Sequence, residues 1–310
     1  MKKTWILPTM ALGGLAAAIG LSYRLRSVGR RPTANPDSGA QAICRIVSLA
    51  PNLTEILFAL GLGERVVAVS SDSNFPAEVA SQRKVGTFWQ PNTEAIVAAR
   101  PDLVVTLSFE QHRAAADSLQ RLGYRVLSVR IETVEELLAA IRQLGQAAGC
   151  VSQADTLAAM IQQRLSEVQA RANGIAPENR IKVLWVVQTE PLRVAGRDTF
   201  PSRLIEMAGG QNAIGRTVQQ YPPIGAETLL SCAPQVILQP AMAGNNLARQ
   251  RGDAVSFWSR WPNLPAVKNG RIYVIPPDTV SRLGPRLPDG LELVCRCLHP
   301  ERFAARNGSE

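Results

Sequence analysis

The sequence predicts an α/β protein: two similar α/β lobes with mostly parallel sheets, joined by one long interdomain helix, with a ligand cleft between the lobes. Three observations carry this. Short apolar strands alternate with helical segments on both sides of the chain's middle, a rhythm that implies parallel sheets covered on both faces. The middle itself, from Ser152 to Asn173, is one helical signal with no Pro or Gly inside it. A segment of the first half is also echoed in the second. The resulting division is residues 1–22 as signal peptide or N-terminal anchor, 23–40 as flexible linker, 41–150 as the first lobe, 151–174 as the connecting helix and 175–310 as the second lobe.

At the N-terminus, Lys2 and Lys3 precede an apolar run from Trp5 to Leu21, the pattern of an export signal. Small residues at Ala16–Ala18 and at Ala18-Ile19-Gly20 offer cleavage sites, so removal by a signal peptidase and retention as an anchor both stay open. In the first lobe, Ile43–Leu49 reads as a buried strand, and Asn52 as the cap of a helix carrying Ile56, Leu57 and Leu60. Val66–Val69 is the next strand and Ser70–Pro76 a loop. Val85-Gly86 is a short extended piece, and Thr87–Asn92 a second loop holding Phe88 and Trp89. A helix from Thr93 to Arg100, a strand at Leu103–Leu107, a helix at Gln111–Leu122, a strand at Tyr124–Val129 and a helix at Val134–Ala147 complete it.

The connecting helix has Ser152 as its expected cap and Asn173-Gly174 as its stop. Leu157, Ile161, Leu165 and Val168 form its apolar stripe. At 1.5 Å per residue it spans roughly 30 Å, the diameter of a small domain. The second lobe reads as a strand at Ile181–Val187, helices at Phe200–Ala208 and Ala226–Cys232, strands at Val236–Leu238 and Arg271–Ile275, and a final helix at Pro285–Leu298. Trp258 and Trp261 fall in a polar, Pro-rich connection. The echo lies here. In Glu94–Val105 and Glu227–Leu238 a Glu opens a short helix, a Pro follows seven residues later (Pro101, Pro234), and an apolar strand begins just beyond.

The net charge of +9 excludes less than it suggests, because residues 1–31 contribute +6 and the other 279 only +3. With no basic stripe in the body, nucleic acid is not an expected partner. Five scattered cysteines (Cys44, Cys150, Cys232, Cys295, Cys297) read as free thiols with at most one bridge. No GxSxG, Walker or GxGxxG pattern is present, so an enzyme is not expected. The two histidines, His112 and His299, are too few and too far apart for a bare-metal site. His112 reads as a helix-surface residue.

The run Arg45-Ile-Val-Ser-Leu-Ala-Pro-Asn-Leu-Thr-Glu-Ile-Leu-Phe-Ala-Leu-Gly-Leu-Gly resembles the opening of the substrate-binding proteins of ABC importers for cobalamin and ferric siderophores. Val85-Gly-Thr, Pro91-Asn-Thr-Glu-Ala-Ile, Arg100-Pro-Asp-Leu-Val, Ala208-Gly-Gly-Gln-Asn and Gly284-Pro-Arg fit the same pattern, closest to the cobalamin branch. The resemblance implies a periplasmic or otherwise extracytoplasmic receptor with no cofactor of its own, handing its ligand to a permease dimer. Membrane association then comes through the permease or an uncleaved N-terminus. Glu94 and Glu227 match the glutamates that dock on permease arginines. Phe88 or Trp89, together with Tyr221, matches the aromatics set against a flat macrocycle, and Asp278 matches a cleft position. Arg193 stands where the cobalamin pattern has an aromatic; with Arg282 it suits an anionic ligand, a siderophore or haem. A membrane-anchored sensor without a transport role is the reading from another class.

Overall fold

The computed structural model describes residues 43–242 and 246–303; the expected signal or anchor (1–22) and linker (23–40) lie outside them. The first lobe contains β1 (Ile46–Ser48), α1 (Pro51–Ala59), β2 (Val66–Val69), β3 (Arg83–Lys84), α2 (Thr93–Ala98), β4 (Leu103–Leu107), α3 (Glu110–Arg121), β5 (Val126–Val129) and α4 (Val134–Ala148). Its sheet runs β3-β2-β1-β4-β5, every pair parallel. The connecting helix is α5 (Val151–Ala172). The second lobe follows with β6 (Ile181–Thr189), β7 (Leu192–Val194), α6 (Phe200–Met207), β8 (Gly210–Asn212), α7 (Ala226–Cys232), β9 (Val236–Pro240) and α8 (Leu247–Trp258). It ends with α9 (Pro265–Lys268), β10 (Ile272–Ile275), α10 (Pro277–Val280), α11 (Leu287–Leu298) and α12 (Pro300–Phe303).

The echo seen in the sequence extends through the backbone. In the second sheet β8, β6, β9 and β10 lie side by side in parallel, the order that β2, β1, β4 and β5 take in the first. Arg100 (φ +50°) and Ala233 (φ +42°) are the two non-glycine residues in the left-handed region among the described residues, and each directly precedes the matched proline. Proline cannot continue a helix, so the preceding residue turns the chain toward the strand instead. The next residue repeats its hydrogen bonds as well. Asp102 donates its N–H to Arg45 O and accepts Arg45 N–H on Oδ2 at 3.0 Å. Gln235 donates to Lys182 O and accepts Lys182 N–H on Oε1 at 2.8 Å. What the second lobe adds is β7, an antiparallel partner for the far end of β6.

α5 buries Leu157, Ile161, Leu165 and Val168 as the stripe predicts, with Ala154, Ala158 and Ala172 on the same face. It packs on α4 from the first lobe and on α11 and α12 from the second. Its start differs from expectation. Gly149 (φ +74°) reverses the chain out of α4, and Cys150 N–H bonds to Gly145 O, so the helix begins before Ser152 and Cys150 occupies the cap without a side-chain bond. Gly145 has no side chain because Ala154 of α5 occupies that space.

Three other local readings are corrected. Asn52 is not the α1 cap: Pro51 starts the helix, and the Asn52 amide donates to Leu283 O in the other lobe. The extended piece begins at Arg83, two residues before Val85. Trp258 is no loop residue but the buried last residue of α8, which the chain's Gly252 and polar surface face conceal. Cys150, Cys232, Cys295 and Cys297 are unbridged thiols, and Cys150, Cys295 and Cys297 are buried; α11 is covered by α5, α6 and α10, so residues two apart are both enclosed. Burial pushes the Cys295 thiol up to about 12 and Cys297 to about 11, which leaves both inert as nucleophiles.

The lobes also meet through charge. Glu55 of α1 is buried, and Arg286 grips both its oxygens at 2.6 and 2.9 Å. Arg282 approaches the same carboxylate at 3.5 Å, and the Arg286 guanidinium lies 4.0 Å over the Phe75 ring. Arg282 also donates to Asn74 Oδ1, and Asn74 donates to Asp278. Removing this buried acid strands Arg286, while Arg282 keeps Asp278. Glu55→Ala is therefore expected to cost about 3 kcal/mol of stability, read from urea unfolding, whereas a surface pair such as Arg249–Asp253 should cost under about 1 kcal/mol.

Candidate functional site

Between the lobes lies a cleft of about 1010 Å³. The first lobe lines it with Phe88, Trp89, Leu107 and the Arg130–Thr133 turn; the second with Trp185–Val187, Asp198–Pro201, Gln220, Tyr221 and Pro240–Met242. Pro51, Asn52 and Ser281–Leu283 line it where the lobes touch. These are loops leaving the carboxyl ends of parallel strands, where open α/β sheets bind ligands. A side chamber of about 400 Å³ shares the Phe88, Trp89 and Arg130–Glu132 walls and adds Phe109 and Gln111.

The first lobe's aromatic loop is built tightly. Gly86 (φ +96°) and Pro91 form a bridge, and a Cβ on Gly86 would strike the backbone of Gln90 and Asn92. Within the turn, Thr87 and Gln90 exchange hydrogen bonds. Phe88 stacks on Phe109 with ring centres 5.3 Å apart, and its own main chain is held twice: the N–H by Asp72, the carbonyl by His112. Trp89, at the tip, stands edge-on to Phe88 and is 62% exposed. Across the gap Tyr221 is 39% exposed, and burial of its remainder pushes the phenol pKa up.

His112 is corrected from surface residue to fully buried one. Nε2 sits 2.6 Å from Phe88 O, and Nδ1 2.6 Å from Thr106 Oγ1. A carbonyl can only accept, so Nε2 carries the hydrogen and the threonine hydroxyl donates to Nδ1. The burial was encoded in the spacing: His112, Ala116 and Leu119 make the inner face of α3.

The charges along the cleft cancel. Asp72, Glu132 and Asp198 stand against Arg130, Arg203 and Arg282. Two of the arginines are engaged at close range. Arg130 pairs with Glu132 at 2.7 Å and Glu136 at 3.1 Å; Arg282 pairs with Asp278 at 2.9 Å. Arg203 acts across the opening on Glu135, whose carboxyl is lowered first by its own backbone amide and the Thr133 hydroxyl and then by this arginine.

Of the residues singled out in the sequence, Phe88, Trp89, Tyr221 and Arg282 line the cleft. Arg193 and Asp278 do not. Arg193 donates to Tyr221 O at 3.1 Å, and Asp278 is taken up by Arg282 and Asn74. Glu94 and Glu227 are exposed in the first turns of α2 and α7, at matching positions of the two lobes. Asp72, Arg130, Glu132 and Arg203 were not anticipated; each sits in a loop or helix start where periodicity carries no signal. Among the described residues no group of three or more His, Cys, Asp or Glu is placed to hold a metal ion, and no helix is long and apolar enough to cross a membrane.

The periplasmic binding protein family matches residues 46–279, and the chain belongs to it. It is a substrate-binding protein of the ABC-importer type, whose members work with a permease and bind a small ligand. An uncharacterised ABC transporter substrate-binding lipoprotein, YvrC of Bacillus subtilis, is 30% identical over 264 residues, 84% of this chain and 81% of that protein. The crystal structure of the periplasmic vitamin B12-binding protein BtuF of Vibrio cholerae is 26% identical with a TM-score of 0.70, covering 84% of this chain and 98% of that one. A periplasmic haem-binding protein from Pseudomonas aeruginosa stands as near, at 25% identity and a TM-score of 0.73 over 83% and 93% of the two chains.

Burial depresses the pKa of both His112 and His299 below the ordinary 6.5, partly offset by the Phe88 carbonyl in the first case and by Glu301 in the second. The folded state therefore holds these imidazoles neutral, while the unfolded chain takes up protons first. Stability should be intact above about pH 6.5 and fall as the pH drops below it. Urea midpoints at pH 7.5 and 5.5 measure the loss, and His112→Gln should reduce it.

Proposed function

We propose that the protein captures cobalamin in the interlobe cleft outside the cytoplasm and delivers it to an ABC importer permease. The observation that carries this is the cleft's combination of size, aromatic faces and cancelled charge. Its volume of about 1010 Å³ is at the upper end for small-molecule sites, which suits a large macrocycle. Trp89 and Tyr221 offer ring faces from opposite lobes, and flat ligands bury large areas on such residues. A polyanionic siderophore or the propionates of haem would need several arginines, whereas Arg130 and Arg282 are already paired and Arg193 is turned to a backbone carbonyl, which leaves the exposed Arg203 to meet an anion. The BtuF likeness is consistent with this choice, and the haem-binding likeness, as near, is consistent with the second.

Haem is the second reading, favoured by Tyr221, since a phenolate can ligate ferric iron. The raised pKa of that phenol opposes it. Delivery is assigned to Glu94 and Glu227, two exposed carboxylates on related corners, suited to arginines of a two-fold permease. The N-terminal segment is read as an export signal. A mature N-terminus near Ile19 or Leu21 by mass spectrometry would mark cleavage; an intact Met1 would mark an anchor and favour the sensor reading.

Equilibrium titration with cyanocobalamin and with haemin tests the ligand. Cobalamin should bind below ten micromolar, and Trp89→Ala should weaken it by about 2 kcal/mol, roughly thirtyfold. Haemin binding with cobalamin inert would reverse the assignment. The double variant Glu94→Ala, Glu227→Ala should keep ligand affinity and abolish uptake in cells; normal uptake would remove the docking assignment.

A further inference from the structure

We propose that His112 and Arg193 are positioning residues that set the aromatic loop of each lobe, Thr87–Asn92 and Gln220–Ile224, before any ligand arrives. Each donates a side-chain N–H to a backbone carbonyl of its lobe's aromatic loop: His112 to Phe88, next to Trp89, at 2.6 Å, and Arg193 to Tyr221 at 3.1 Å. The inference rests on the proposed function only in taking these loops as the ligand's contact surface.

The two arrangements are built from different parts. In the first lobe the donor is a buried imidazole on α3. The Phe88 carbonyl fixes its tautomer, Thr106 of β4 donates to Nδ1, and the rings of Phe88 and Phe109 enclose it, with ring centres 5.1 and 4.4 Å away. With Asp72 on the Phe88 N–H, both backbone polar groups of that residue are tied to side chains, one from the loop after β2 and one from α3. In the second lobe Arg193 is on β7, and the chain from Gln220 to Ile224 runs along that strand. Gly196 donates to Gln220 O, Val194 to Pro222 O, and Ile224 to Leu192 O. Arg193 then reaches the carbonyl of Tyr221, which that ladder leaves over. A loop ordered beforehand does not lose its freedom on binding, so the benefit appears as affinity.

The test is amide hydrogen exchange of the ligand-free full chain, read by mass spectrometry over residues 86–91 and 219–224. His112→Leu should speed exchange at least tenfold in 86–91 and leave 219–224 unchanged. Arg193→Met should do the reverse. His112→Gln, which keeps an N–H donor, should retain most of the protection, and it carries the test if His112→Leu does not fold. Cobalamin affinity should fall about tenfold in His112→Leu and in Arg193→Met, and about a hundredfold in the double variant, because the sites are independent. Unchanged exchange in both loops, or faster exchange throughout the chain, overturns the inference. Loss of binding in Arg193→Met without faster exchange makes Arg193 a ligand contact instead. A wild type that binds no cobalamin sinks the cobalamin reading alone, since the exchange measurement still decides the positioning.

Discussion

The arrangement of the whole site depends on one buried carboxylate. Glu55 lies in the first helix of the first lobe, and its partners Arg282 and Arg286 come from the far end of the chain. A carboxylate taken out of water is tolerated only when it is paired and hydrogen-bonded, and here the pairing is possible in one relative placement of the lobes. Asn52 donating to Leu283 O and Asn74 donating to Asp278 add directional bonds at the same junction. The ion pairs and α5 therefore act together. The helix sets the separation of the lobes, and the charge cluster sets their angle. Small rocking is what such a junction allows, since wide closure would expose Glu55 or break its bonds.

Much of this fold was legible in the sequence because it is local. Strand–helix alternation, the stripe along α5 and the matched Glu–Pro segments are short-range patterns, and each corresponds to an element of the structure. The repeat proved deeper than its residues implied. Asp102 and Gln235 differ chemically, yet both place a side-chain oxygen on the backbone N–H of the first strand's entry residue. Arg100 and Ala233 share nothing but a left-handed turn before proline. Selection by backbone geometry leaves little trace in side-chain identity, so such positions escape a reading by residue type.

The site was less legible, for a physical reason. Glu55 and Arg286 are 231 residues apart, and no periodicity links them. Glu55 sits in the motif that carried the family resemblance, but nothing in that motif says where its charge goes. His112 was misread because histidine is usually given to the surface of a helix, although its spacing to Ala116 and Leu119 placed it inside. Arg193 was read from its charge toward an anionic ligand, whereas the structure directs its guanidinium to the Tyr221 carbonyl. In each case the residue type was noticed and its partner was not. The partner determines whether a charge is available to a ligand or already used by the protein.

That distinction bears on how the cleft selects. With Arg130 and Arg282 paired and its loops tied down, the cleft offers shape and ring faces more than free charge. Electrostatic attraction then contributes little to affinity, and discrimination falls to fit. A fixed junction reinforces this, because lobes that cannot close far cannot remodel themselves around a poor ligand. The same rigidity holds the corners bearing Glu94 and Glu227 at a constant spacing, on helices that enter equivalent strands of equivalent sheets. On the docking proposed for these corners, occupied and empty receptor present nearly the same surface there, and a permease that responds to the ligand must sense it through the small rocking the Glu55 junction permits.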